Sequence, residues 1–151
     1  MKALITVIGL VVVMAFSATL ASAAAAKHNA TKNSAATLKS QMLRIDKLAW
    51  IAPGKPSKNY PQALVKLNAL SPEISAFGDE VLAIIGKKKV STLSKTERDI
   101  KNAAKDLKKQ SKNFTSAFKK QSVRLPPRLE RAVQDAIIGA LTTLQTLLPK
   151  I

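Results

Sequence analysis

The chain predicts an all-α fold, an antiparallel bundle of four to five helices, and three observations carry that expectation. Between Leu93 and Leu125, the residues Leu93, Ile100, Leu107 and Phe114 recur every seventh position, with Thr96, Ala103, Gln110 and Ala117 three residues further on. That is the period of a helix with one apolar seam. Apolar residues elsewhere keep the same three-and-four spacing, and Pro53-Gly54, Ser71-Pro72, Gly86 and Pro126-Pro127 punctuate them. The 151 residues contain no cysteine, so only a packed core can hold the fold.

Met1-Lys2, the apolar run Ala3 to Phe16 and the tripeptide Ala21-Ser22-Ala23 have the three parts of a secretory signal peptide, predicted over residues 1–23. The competing reading is a membrane anchor, since no charge appears before Lys27, but the most apolar part stops at Phe16. Residues 24–33 lack periodicity and read as a mobile tail, and residues 34–151 as the bundle domain. Asn29 and Asn113 each open an Asn-X-Thr sequon, a glycosylation acceptor in a secreted protein.

The first helix carries Leu38, Met42, Ile45, Leu48 and Ala49, and Pro53-Gly54 stops it before a stiff connector to Pro61. Leu64, Leu67 and Leu70 start a second. Ser71-Pro72-Glu73, with a capping serine, a proline in first position and an acid in the first turn, is expected to open a new helix rather than kink the old one. This helix carries Ile74, Phe77, Val81, Leu82, Ile84 and Ile85 and ends at Gly86, where Lys87, Lys88 and Lys89 suit the negative end of the helix dipole. Ser94-Lys95-Thr96-Glu97 is a capping box for the long helix. Pro126-Pro127 separates it from a last helix whose stripe, Val133, Ala136, Ile137, Ala140, Leu141, Leu144 and Leu148 among others, is wide enough to touch two neighbours.

The formal charge of +16 is concentrated, with residues 87 to 124 contributing a net +10. Opposite the seam of the long helix, Arg98, Lys105, Lys112 and Lys119 repeat every seven residues as a ladder of cations. Lysines outnumber arginines 20 to 5, which favours a solvated, weakly selective surface over bidentate phosphate recognition. A solvated face serving solubility is the plain reading of such a ladder. An anionic membrane or cell-wall polymer is the partner class that lysines on the outside of a bundle would meet. Nucleic acid is the least favoured partner, because no aromatic residue sits among the lysines for base stacking.

Catalytic constellations are nearly absent from the sequence. His28 is the sole histidine, Asp79 and Glu80 point to different helix faces, and no glycine-rich phosphate loop occurs, so neither an enzyme nor a metal or other cofactor is expected. The apolar seam carries the other candidate site. Small residues Ala103 and Ala117, with polar Gln110, face the wide last stripe. A seam of this kind either packs closely or admits a hydrophobic ligand such as a fatty acid, lined by Phe114, Phe118, Ile137, Leu141 and Leu144.

The run Leu70-Ser71-Pro72-Glu73-Ile74 with Phe77, Val81-Leu82 and Lys87-Lys88, then Ile100, Leu107, Phe114 and Ala117, then Pro126-Pro127 and an apolar helix, resembles the fungal hydrophobic surface binding protein A family, which includes cell-wall galactomannoproteins. The resemblance spans about residues 36 to 148. It implies a secreted helical protein that adsorbs to hydrophobic surfaces, associates with the cell wall and, in some members, holds a fatty acid or other lipid between helices. The strong positive charge departs from that family. A cationic secreted effector or antimicrobial protein acting on membranes is the alternative from a different functional class.

Overall fold

Residues 31–121 and 126–151 are described by the computed structural model, and residues 31–151 form one compact unit. The signal peptide expected over residues 1–23, the sequon at Asn29, His28 and the predicted helix end at Leu125 lie outside the described residues. Helix α1 occupies residues 31–49, and a two-stranded hairpin follows, β1 over Trp50–Ala52 and β2 over Lys55–Pro56. Helices α2 (Tyr60–Ile85), α3 (Lys95–Gln121) and α4 (Pro127–Leu147) complete the chain, with short 3-10 turns at Val90–Thr92 and Leu148–Lys150. Among the described residues the bundle has four long helices.

Side-chain contacts set the directions. Asp46 meets Arg131 while Lys39 meets Gln145, so α1 and α4 run antiparallel. Gly78 lies against Ala104 and Lys108, whereas Ser71 and Ser75 lie beside Ser111 and Thr115, so α2 and α3 are antiparallel as well. Helix α3 packs against both α2 and α4. The core between them is built from Met42, Leu64, Leu67, Ile74, Ile100, Leu107, Phe114, Ile137, Leu141 and Leu144, each with 0–1% of its surface exposed. Fully burying side chains of this size stabilises by about 1.5–3 kcal/mol each, which is how a cysteine-free domain of this length holds together.

Three sequence expectations change. Pro72 does not open a new helix: α2 runs unbroken from Tyr60 to Ile85 with Pro72 inside it. The reason is phase. Leu67, Leu70, Ser71, Ile74, Phe77, Gly78, Val81 and Ile85 form one buried stripe that continues across the proline without a shift. Keeping that stripe against the core outweighs the roughly 3 kcal/mol that an interior proline costs. Ser71 is accordingly no cap; it is buried, and its hydroxyl donates back to the Leu67 carbonyl at 2.8 Å. The second change is at the tail, where residues 31–33 are already helical and Thr31 is buried. The third is the connector after α1. Its start is a small hairpin in which Trp50 pairs with Pro56 and Ala52 with Lys55, turning at Gly54 with φ 75°.

The remaining punctuation holds. Gly86, with φ 70°, ends α2 and its N–H bonds the Leu82 carbonyl at 3.1 Å. The capping box forms in both directions: Glu97 N–H donates to Ser94 Oγ at 3.1 Å, and Ser94 N–H donates to Glu97 Oε2 at 2.8 Å. Pro127 is the first residue of α4 and Pro126 its cap position.

Candidate anionic-surface interface

The back of α3 carries a row of exposed cations. Packing the seam of α3 on α2 and α4 turns Arg98, Lys105, Lys112 and Lys119 outward, and all four are exposed. At about 1.5 Å per residue the ladder extends roughly 30 Å. None of the four enters an ion pair among the described residues, where carboxylates instead engage Lys88, Lys108 and Arg131. Lys87, Lys88 and Lys89 are exposed at the corner between α2 and α3, and Val90, 59% exposed, follows them directly. Lys88 is the exception in this set. Its Nζ bonds Glu97 at 2.9 Å, so the cation is engaged by the α3 cap. With that contact and the Ser94 amide, Glu97 is held at about pKa 2, well below the ordinary carboxylate range.

The apolar candidate residues separate into two groups. Phe114, Ile137, Leu141 and Leu144 are closed into the core at 0–1% exposure, and Phe114 stacks on the half-buried Phe118 with ring centroids 5.8 Å apart. Ala103 and Gln110 line a surface groove between α3 and α4 instead, while Ala117 is half-buried. Asp99, Asn102, Asp106 and Thr143 share that groove. Its polar, acidic wall is the wrong chemistry for the carboxylate head of a fatty acid. The expected lining is therefore not brought together around one cavity: bulky residues of the wide α4 stripe fill the seam, and α1 and α3 both use it. Asn113 is exposed but lies inside α3, not in a loop, and the hydroxyl of its sequon partner Thr115 donates to the Ser111 carbonyl at 2.9 Å.

Two polar features escaped the sequence reading. Ser111 is buried at 2% exposure on the α2-facing side of α3, and its Oγ has no hydrogen-bond partner. The spacing of Ala104, Ser111 and Phe118 repeats every seven residues next to the seam, a signal that the narrower seam overlooked. The second feature is at the start of α4. Trp50 Nε1 donates to Gln134 Oε1 at 2.9 Å, Gln134 Nε2 donates to Glu130 Oε1, and both Gln134 and Glu130 are fully buried. Burial, then the nearby Asp46 charge, raises Glu130 to a pKa of about 7. Arg131 lies 5.8 Å over the Trp50 ring and pairs with Asp46 and Asp135, both at 3.1 Å.

Among the described residues no group of three or more His, Cys, Asp or Glu side chains could hold a metal ion. No described helix is long and apolar enough to cross a membrane. Comparison with known protein families, curated proteins and solved structures finds no match to this chain.

Proposed function

We propose that this is a secreted, non-catalytic protein that binds lipid surfaces carrying negative charge, with the basic face of α3 as the contact. The observation that carries the reading is the ladder itself: Arg98, Lys105, Lys112 and Lys119 are exposed, aligned over roughly 30 Å and free of carboxylate partners among the described residues. A ladder serving only solubility gains from interspersed acids, whereas this row is of one sign. Exposed Val90 beside three lysines, and Ile51 at 67% exposure near Lys55, supply apolar tips that can enter a headgroup layer. Adsorption to hydrophobic or wall surfaces, as the family resemblance implies, would use the same tips. The closed seam favours adsorption over a fatty acid held between helices.

Each cation near an anionic membrane is worth about 1 kcal/mol, so replacing all four ladder residues by Gln should weaken vesicle binding by up to a thousand-fold. The fold should be unaffected, because exposed substitutions of this kind cost within about 0.5 kcal/mol. Raising salt beyond 0.1 M, where the Debye length is about 10 Å, should weaken wild-type binding in the same direction. Binding indifferent to both changes would reduce the ladder to a solvated face. Release of dye from the same anionic vesicles would instead support the membrane-perturbing alternative.

A further inference from the structure

We propose that the groove between α2 and α3 at Pro72 is a binding site for a phosphomonoester group. The groove encloses about 510 Å³ and is walled on the α3 side by Lys109, Lys112 and Lys119, with Ser75 of α2 and Ser116 of α3 adding hydroxyls. Ser111 lies at its floor. Lys108 also borders it, but its Nζ is held by Asp79 at 2.5 Å, the carboxylate that faces this side of α3. The other three lysines enter no ion pair among the described residues.

Ser111 is what distinguishes this groove from the rest of the basic face. Hydroxyls inside helices commonly donate to the carbonyl four residues earlier, and Thr37, Ser71, Thr115, Thr142, Thr143 and Thr146 all do so here. Ser111 does not, although its Oγ is buried and has no hydrogen-bond partner. A buried donor left unmade is costly, so its persistence beside three free ammonium groups points to an oxygen ligand that completes it. A dianion with three terminal oxygens fits this set: lysines supply charge without directional constraint, and the buried hydroxyl supplies one fixed donor. A phosphodiester carries less charge and fewer free oxygens. The proposal rests on the α3 reading, since Lys112 and Lys119 belong to both, but Ser111 belongs to the groove alone.

The source of the phosphomonoester is a lipid headgroup or a free phosphate, and two measurements on the protein spanning residues 24–151 separate them. Binding to vesicles containing phosphatidic acid, a monoester, is compared with binding to phosphatidylglycerol vesicles, a diester, adjusted to the same surface potential. Wild type should prefer the monoester about ten-fold, the worth of one hydrogen bond to a charged group, and Ser111→Ala should erase the preference while leaving diester binding unchanged. Inorganic phosphate titrated in solution should shift the amide resonances of Ser111 and Lys112 in wild type only. Should Ser111→Ala lower the melting temperature, Lys109→Gln, on the exposed wall, replaces it with the same expected loss of preference. Equal binding to both vesicles with no phosphate-induced shift overturns the site and leaves the basic face standing. A shift with inorganic phosphate but no vesicle binding keeps the site and overturns the surface reading instead.

Discussion

Glu97 and Glu130 stand at equivalent places, each in the first turn of a helix that follows a break in the chain, and their environments have driven them in opposite directions. Glu97 lies at the surface, where the Ser94 amide and Lys88 hold its charged form and bring its pKa to about 2. Glu130 is sealed under the hairpin and rises to about 7, with Gln134 as its hydrogen-bond donor and Asp46 disfavouring its charge. The same residue type thus caps one helix through neighbours in sequence, while in the other its donor Gln134 is itself tied to Trp50, 84 positions away. Position along a helix does not determine what a carboxylate does there; burial and the partners that the tertiary fold delivers do.

The largest expected consequence is in the pH dependence of stability. Glu130 has a folded pKa above its unfolded value, so its contribution to stability is fully present below about pH 4.5 and is lost as pH rises toward 7. The loss should reach about 3 kcal/mol. Urea unfolding of the wild type between pH 5 and 8 should therefore show a falling midpoint. Glu130→Gln, which keeps an acceptor for Gln134, should flatten that dependence and be the more stable protein at pH 8. A wild-type midpoint that is constant or rises across this window would contradict the assignment.

A smaller effect tests whether the network, and not burial alone, positions Glu130. Trp50→Phe removes the N–H that Gln134 Oε1 accepts and leaves a buried carbonyl unpaired, at a cost of about 1–3 kcal/mol. It also removes the indole ring over which Arg131 lies. Circular dichroism during urea unfolding reads this without relying on the indole fluorescence. Unchanged stability in Trp50→Phe would mean that Gln134 finds another donor and that the hairpin adds little to the α4 start.

These two helix starts also show what a sequence discloses. The capping box was legible because its partners are three residues apart and the interaction is local; the same holds for Gly86 after α2 and Pro127 opening α4. The cation ladder was legible because a seven-residue period fixes which side of a helix a residue occupies. Pro72 looks like a helix start because the capping preference of Ser71 is local, whereas the stripe that continues beneath it is set by the core. Gly78 is similar: a Cβ there would lie 3.0 Å from the Ala104 carbonyl oxygen, a close approach that only the packed pair of helices defines. Glu130 and Trp50 carry no such repeat, and Ser111 carries only its seven-residue spacing from Ala104 and Phe118. Their roles exist only once α2 covers α3 and the hairpin covers α4, and the apolar seam closed for the same reason, since two neighbours shared the α4 stripe.

The smallest effect belongs to the exposed side of the comparison. Ser94→Ala removes the acceptor for the Glu97 amide and should cost about 1 kcal/mol, the usual worth of an N-cap hydroxyl. The loss should be local: amide hydrogen exchange should quicken at Glu97 and its neighbours in the first turn of α3, while the α4 start keeps its protection. Glu97 has a folded pKa below its unfolded value, so its contribution is present above about pH 4.5 and fades as pH falls toward 2. The two glutamates therefore titrate in separate windows, Glu97 below about 4.5 and Glu130 above it. In Glu97→Gln, acid sensitivity between pH 4.5 and 2 should diminish while the decline from pH 5 to 8 persists. If Glu97→Gln altered the upper window as well, the α3 cap and the α4 network would have to be coupled through the core, and the contrast between a local and a tertiary carboxylate would fail.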